Sequence, residues 1–334
     1  MFACDIPDSP DWGGNLGDTA FVTPRVQSDS LSINVGNVRQ WQGAGLTISQ
    51  FRQMIRSGEL VRVRRGVYTT ARHADAVKDK PAAEHALQAA AAVSAQSTRG
   101  AVASHESAAQ IHGIDLIERP GEDVVWLTRA PGRYRESPAS GIRYRAAALP
   151  QEHVAEVLGV RVTTVARTVL DLARSLPYAE GVAAADSALN RRLVTKSELV
   201  KLLKEFDRWP GITKARRVVD FSDELAESVL ESAARVAFAQ FGLPAPQLQT
   251  DIYDDKLRLI GRVDFLWEDH RTVGEADGMT KYEEPGREGA QIRRDIRLRE
   301  AGYKVVHFTW AELFGEPARV IARFRDAFEA PSSY

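Results

Sequence analysis

Along the chain, apolar and polar positions alternate most clearly in LTISQFRQMIRSGELVRVRRGVYTTA, residues 46–71. Thr47 with Gln50 three places on makes a capping box, Ile48, Phe51 and Ile55 recur as an apolar stripe, and Gly58 supplies a stop. The pattern predicts a short helix. Val61 and Val63 then alternate with Arg62 and Arg64, and Arg64-Arg65-Gly66 turns the chain into Val67, which predicts a hairpin with an arginine-studded outer face. Helix plus basic hairpin is the outline of a winged helix-turn-helix, expected over residues 34–75.

After residue 76 the pattern changes. AAEHALQAAAAVSAQ (82–96) and SHESAAQIHGI (104–114) read as alanine-rich packed helices, DVVWLTRA (123–130) and GIRYRAAAL (141–149) as strands, and TTVARTVLDLARSL and EGVAAADSALNRRL as helices again. This is a mixed α+β middle domain, expected over 76–210. The Pro/Gly-broken KEFDRWPGITKARR connects it to the last part, 211–334. There a long helix from about Ser222 to Phe241 is followed by strands at 247–253, 257–267 and 271–277. A charged helix near 287–301 is ended by Gly302, and YKVVHFTW and PARVIARFRDAF add a strand and a closing helix. The order α, β, β, β, α, β, α is that of an α/β layer. The expected whole is an α/β and α+β multidomain chain without internal repeats.

Composition narrows the function classes. The 334 residues are 44% hydrophobic, enough for two or three modest cores. The single cysteine, Cys4, excludes a disulfide framework and a thiolate metal cluster and suits a reducing cytoplasm. No apolar run approaches the roughly 20 residues that span a bilayer. Residues 1–33, rich in Asp, Ser, Gly and Pro, read as a flexible leader. The net charge of -1 conceals an uneven distribution. Between Gly36 and Arg72 seven arginines face one acid, Glu59, a local balance of +6, whereas residues 1–30 hold five aspartates and one arginine. A basic patch of this kind is the footprint of a phosphate-backbone binder. Ser49, Gln50, Gln53 and Arg56 would form the polar face of a recognition helix, and Arg62, Arg64 and Arg65 would meet phosphates from the wing. The competing reading is a solvated basic face.

Candidate chemistry concentrates in GRVDFLWEDHRTVGEADG, residues 261–278. A turn of two or four residues centred on Asp269-His270 places Asp264 directly opposite Glu275, with Cβ atoms roughly 5 Å apart. Asp277 projects from the same face as Glu275. Val263, Phe265 and Trp267 on the reverse face, opposite Gly274 and Ala276, leave room for a helix. Three carboxylates in one space repel one another, and Mg²⁺, or Mn²⁺, held by oxygen ligands would cancel that repulsion. Alternatively the acids lie at an exposed sheet edge, the register is one residue off, or Arg262 and Lys281 neutralise them.

RVDFLW and GEADG, with ESVLESAARVAFAQFGLPAPQLQ before them and RRDIRLREAGYKVVHFTWAEL after, resemble the very-short-patch-repair-endonuclease-like branch of the PD-(D/E)XK nuclease superfamily. The likeness runs from about 222 to 328. It implies a restriction-endonuclease-like sheet flanked by helices, with Asp264 matching the strand aspartate and Glu275 and Asp277 the acidic pair of the following strand. A helical acid is also implied, either Glu231 or Glu227, the former with an i,i+4 partner in Arg235 as its structural alternative. The sequence departs from the superfamily at Asp277, where lysine usually stands. Lys281 is the nearest substitute.

The basic module resembles the winged helix at the start of AbiEi-type antitoxins, and SHESAAQIHGI with VTTVARTVLDLA resembles the domain that follows it there, together about residues 36–203. This resemblance implies DNA binding and a cognate toxin or defence partner. Two classes of function follow: a Mg²⁺-dependent endonuclease, or a non-catalytic repressor or antitoxin that keeps the nuclease fold as a platform. His105 and Glu106 invite an acid–base reading. Without a nucleophile motif, helix capping and core packing by Ser104 and His105 is the expected use, as for His112 and His307.

Overall fold

A computed structural model describes residues 35–95, 100–117, 124–132, 141–157, 160–277 and 287–331. The expected leader, Cys4 and Lys281 lie outside the described residues. The chain divides into two compact units. One runs to Ser175 and includes Ser197–Ile212; the other comprises Leu176–Lys196 and Thr213 onward. The chain is a mixed α+β multidomain protein, with thirteen α-helices among the described residues.

The first unit opens with β1 (Val35–Asn37), α1 (Val38–Gly43), α2 (Ile48–Ser57), β2 (Leu60–Arg64), β3 (Val67–Thr70) and α3 (Ala71–Val77). The strands form an antiparallel sheet in the order β1-β3-β2. Both first helices start at capping boxes, Asn37 with Gln40 and Thr47 with Gln50, and α2 stops at Gly58, whose φ of 81° suits glycine. The core stripe of α2 differs from the expected one. Phe51 and Met54 are buried with Trp41, Leu46 and Leu60, whereas Ile48 and Ile55 are 49% and 36% exposed. The cause is tertiary: Trp41 of α1, Leu46 and Leu60 gather on the side that Phe51 and Met54 share, turning Ile48 and Ile55 outward. A register shift between Arg62 and Arg64 also breaks the expected alternation of β2. Val63 and Arg64 are both half-buried, Val63 packing beside Val77, Ala83 and Leu87.

The unit continues with α4 (Pro81–Ala95), β4 (Val102–Ala103), α5 (His105–His112), β5 (Val125–Arg129), β6 (Ile142–Ala146), β7 (Val154–Val157), β8 (Val160–Thr163) and α6 (Val165–Ser175). The chain crosses to the second unit for α7 (Tyr178–Asn190) and returns for α8 (Lys196–Glu205). The sheet order is β6-β5-β4-β8-β7, parallel at β5/β6 and β4/β8 and antiparallel elsewhere. Alanines 86, 89, 90 and 92 of α4 pack with Val125, Leu127, Val160 and Val162, small side chains bringing the helix close to the strands. Strands β4, β7 and β8 have two to four residues, too few for alternation to mark them in the sequence.

The second unit adds α9 (Ile212–Phe221), α10 (Val229–Gln240), β9 (Gln247–Tyr253), β10 (Leu259–Trp267), β11 (Thr272–Asp277), α11 (Arg287–Glu300), β12 (Lys304–Thr309), α12 (Trp310–Gly315) and α13 (Pro317–Glu329). Its sheet runs β12-β11-β10-β9, antiparallel except for β11/β12. Phe238 of α10 stands edge-on to Phe265, Trp267, Phe308 and Phe324, centroids 5.0–6.1 Å apart. A Cβ on Gly274 would stand 3.1 Å from the Phe324 ring, so the glycine admits α13. Val263 does not join that aromatic cluster as expected. It packs instead with Leu266, Val273 and Leu298 of α11. The alternation of β10 therefore breaks around Asp264. No helix of the described residues is long and apolar enough to cross a membrane.

Candidate functional site

Strands β10 and β11 pair with Phe265 opposite Gly274, Leu266 opposite Val273 and Trp267 opposite Thr272. These pairs follow the expected register as far as Phe265, one position short of Asp264 and Glu275. The connection 268–271 closes with Arg271 at φ 46°. The antiparallel ladder ends at the Phe265–Gly274 pair. Beyond it the Asp264 carboxylate accepts from the backbone N–H of Ala276, Oδ2 to N 2.8 Å. A side chain thus takes an amide hydrogen at the place where the strands stop pairing.

Asp264 Oδ1 also accepts from the Gln249 amide at 3.2 Å, and the same Nε2 donates to Glu231 Oε2 at 2.9 Å. Gln249 has φ 48°, an unfavourable conformation for a non-glycine residue, and nothing in the residues around it marks its role. Of the two helical candidates, Glu231 is the one that joins Asp264. It is 6% exposed and accepts from Ser228 Oγ (2.7 Å) and from the Glu227 N–H (3.0 Å). Burial, and after it the Asp264 charge, push its carboxyl above the usual range. Glu227 lies outside the helix, because Ser228 caps α10 and the helix begins at Val229 rather than near Ser222. Its carboxylate pairs with Arg262 at 3.1 Å. Arg235 pairs with Asp186 at 2.7 Å, so the i,i+4 partner considered for Glu231 is engaged elsewhere.

Glu275 is 2% exposed, and its Oε2 meets Arg294 Nη2 of α11 at 2.9 Å. The Arg294 stem crosses Gly261, where a Cβ would come within 2.8 Å of Cδ. Asp277 is bound by His307 Nδ1 at 3.0 Å and by the Gln291 amide at 3.3 Å, while His307 Nε2 meets Asp295 at 2.8 Å. The bond to Asp277 above all, with that to Asp295, raises the His307 pKa against the opposing effect of burial. Donating from both ring nitrogens requires the imidazolium. His307 is therefore part of this polar group and not a packing residue. The three strand acids are distributed to three different sets of partners, with the Arg294 guanidinium beside Glu275 and the His307 ring, whose protonated form its two carboxylates favour, beside Asp277. Among the described residues no group of three or more His, Cys, Asp or Glu side chains is arranged to hold a metal ion. As arranged, the donors do not fit a shared Mg²⁺ or Mn²⁺.

In the basic module, Ser49, Arg52, Gln53 and Arg56 are all exposed, and at 100° per residue they occupy one arc of α2 facing away from Phe51 and Met54. Arg52 belongs to this arc although the polar face read from the sequence omitted it. Gln50 is exposed, but its side chain is held by the Thr47 hydroxyl and N–H at 2.8 and 3.0 Å. Arg62 and Arg65 are exposed on the hairpin; Arg64 is half-buried, and its charge acts on His85 of α4.

His105 and His112 are buried, and His112 Nε2 contacts the Thr163 carbonyl at 2.7 Å. Ser104 stands at the N-cap of α5 without making the expected cap bond. Its hydroxyl accepts from Thr128 Oγ1 at 2.8 Å and lies 3.1 Å from His105 Nδ1.

Residues 101–221, from β4 to the end of α9, match the AbiEi antitoxin C-terminal domain. Two proteins of Mycobacterium tuberculosis are each 30% identical to the chain over 280 residues, which is 83% of this chain and 96% of theirs. They are the uncharacterized protein MT2308 of strain CDC 1551 / Oshkosh and the uncharacterized protein Rv2248 of strain ATCC 25618 / H37Rv. The chain belongs to the family of these two mycobacterial proteins and is AbiEi antitoxin-like across residues 101–221.

Proposed function

We propose that the chain is a DNA-binding regulator of the antitoxin type, acting with a cognate toxin, and that residues 34–75 are its winged helix-turn-helix. The observation that carries this reading is the outer arc of α2, where Arg52 and Arg56 stand exposed beside Ser49 and Gln53, followed by the exposed Arg62 and Arg65 of the hairpin. The side chains on the arc suit base edges and phosphates in a major groove, and the hairpin cations suit the flanking backbone. In this reading residues 211–334 keep a nuclease-like fold as a platform without turnover. The Arg294 guanidinium at 2.9 Å from Glu275 supports that, since it neutralises the carboxylate without an ion.

The test is fluorescence anisotropy with duplex DNA from upstream of the protein's own gene, across 50–200 mM salt. Four arginine–phosphate contacts give a slope of log K against log salt of about -3.6. Arg52→Gln, Arg56→Gln, Arg62→Gln and Arg65→Gln should each flatten the slope by about one, or relax base preference where the arginine reads a base. Slopes unchanged in all four variants would rule the reading out.

A second reading, metal-dependent endonuclease, is favoured by one observation. Glu231 and Asp264 share a single amide donor at the end of the β10–β11 ladder, a like-charge pair that a divalent cation would relieve. It requires Glu275 to exchange Arg294 for the ion. Nicking of supercoiled plasmid in Mg²⁺ or Mn²⁺, abolished by Asp264→Ala and by Glu275→Ala, would establish it; tight binding without nicking would leave the regulator.

A further inference from the structure

The AbiEi-like segment holds an arginine group that neither reading uses. Arg167 of α6 is fully buried, its Nε 2.7 Å from Asp171 Oδ2 and its Nη1 3.2 Å from the Ala148 carbonyl and 3.3 Å from His153 Nδ1. Its Nη2 is also buried and meets no hydrogen-bond partner among the described residues. Arg174 Nη1 takes the other Asp171 oxygen at 2.9 Å, and its Nε donates to the Pro210 carbonyl. Trp209 is stacked on Phe206 and holds both guanidiniums against its ring, at 4.6 and 4.8 Å. The exposed Arg145 of β6 lies over Trp126, whose ring centroid is 6.0 Å from that of His105 at the start of α5. His105 has φ 52°.

Two independent features set this group apart from an ion network made only to hold the fold. The first is charge. Three guanidiniums act on His105 and one carboxylate, Asp171, opposes them, while burial raises the carboxyl of neighbouring Glu106 above its usual range. Burial and the charges of Arg167 and Arg145 likewise hold Arg174 below the ordinary arginine range, against Asp171. The second is the buried Nη2. A guanidinium nitrogen left without an acceptor in a water-poor interior is costly, and a charge-assisted bond to an anion removes that cost.

We propose that Arg145, Arg167 and Arg174, with His105 and the first turn of α5, form a binding site for the phosphate group of a small molecule. Guanidiniums match the oxygen edges of phosphate with paired donors, and the helix N-terminus favours the same sign of ligand. The depth of Arg167 selects a small ligand, because a duplex backbone cannot reach a fully buried nitrogen.

Isothermal titration of the full chain with inorganic phosphate, in a chloride background of constant ionic strength, tests the site; adenosine monophosphate forms a second arm. Saturable binding is expected, weakened at least tenfold by Arg145→Gln and by Arg174→Gln and unchanged by Arg319→Gln on α13, an exposed arginine outside every site described. Arg145 is exposed, so its variant should keep the native circular dichroism and thermal midpoint, which separates loss of ligand from loss of fold. Equal affinity for both ligands assigns the site to the phosphate alone, and tighter adenosine monophosphate shows that the attached nucleoside is recognised too. No heat above the chloride control, or affinities unaltered in both Arg145→Gln and Arg174→Gln, overturns the proposal. Neither arm contains duplex DNA, so the outcome is independent of the regulator reading.

Discussion

At the scale of single residues, the Glu275–Arg294 pair decides how the carboxylate strands are stabilised. Glu275 is 2% exposed and the Arg294 side chain 28%, so the attraction acts where water screens poorly on one side only. Arg294→Met should destabilise the protein by roughly 3 kcal/mol, because it leaves a buried carboxylate without its guanidinium. Adding Glu275→Gln should recover most of that loss. Urea denaturation of the two single variants and the double variant measures this coupling. Gly261→Ala should weaken the same pair, since the new Cβ meets the Arg294 stem at 2.8 Å. The register that sets Phe265 against Gly274 was legible in the sequence, because a polar turn between two apolar strands admits few registers. Arg294, nineteen residues after Glu275, was not, since its pairing depends on how α11 crosses β10. Gln249 was hidden for a similar reason: a left-handed backbone at a glutamine leaves no compositional mark.

At the scale of elements, helix α2 shows how tertiary packing chooses among faces that periodicity allows. The spacing of Ile48, Phe51 and Ile55 fits a helix, and so does that of Phe51 and Met54. Trp41 and Leu46 select the second set, and that choice brings Arg52 into line with Ser49, Gln53 and Arg56. The capping box and Gly58 were legible because they are local chemistry. Helices α4 and α5 meet through His85, whose Nε2 lies 2.8 Å from Ser107 Oγ. Burial first, then the Arg64 charge, lowers the His85 pKa from 6.5 to about 4, and burial lowers that of His105 likewise to about 4. A histidine depressed in the folded state binds its proton more readily when unfolded. Its contribution is therefore complete above the unfolded pKa of 6.5 and is lost as the pH falls from there toward 4. Over that window His85 alone should steepen the loss of stability by about 1.4 kcal/mol per pH unit. His85→Asn should remove that increment whatever its effect at pH 8. Denaturation midpoints taken between pH 7 and 4.5 would show it; an identical slope in the variant would mean that the ring is not held neutral.

At the scale of the whole molecule, the chain does not divide at a single cut. The Pro/Gly-broken stretch around Trp209-Pro210-Gly211 marks a crossing between units, and the sequence signals it. It does not signal that Leu176–Lys196, followed by sixteen residues of the other unit, belongs with the C-terminal sheet. The reason is physical: alanine-rich α7, EGVAAADSALN in its greater part, has apolar positions on several sides, so its pattern does not say which partner it covers. The partner is α10. Asp186 of α7 is fully buried and accepts from Arg235 of α10 at 2.7 Å and from the Asp223 N–H at 2.8 Å, while Asn190 donates to the Glu224 carbonyl. A fragment starting at Thr213 therefore keeps Arg235 without its closest carboxylate, Asp186, and exposes the side of α10 that α7 covers. Such a fragment should bind a hydrophobic dye and lack a cooperative thermal transition, whereas a fragment starting at Leu176 should melt cooperatively. Within the longer fragment, Asp186→Ala should lower the midpoint strongly, because it removes the nearest carboxylate from a guanidinium that is 10% exposed and leaves it only Asp223 at 3.9 Å and the Phe221 carbonyl. Cooperative melting of the shorter fragment at the same temperature as the longer one would show instead that the sheet and its aromatic cluster are self-sufficient and that α7 is only an attachment.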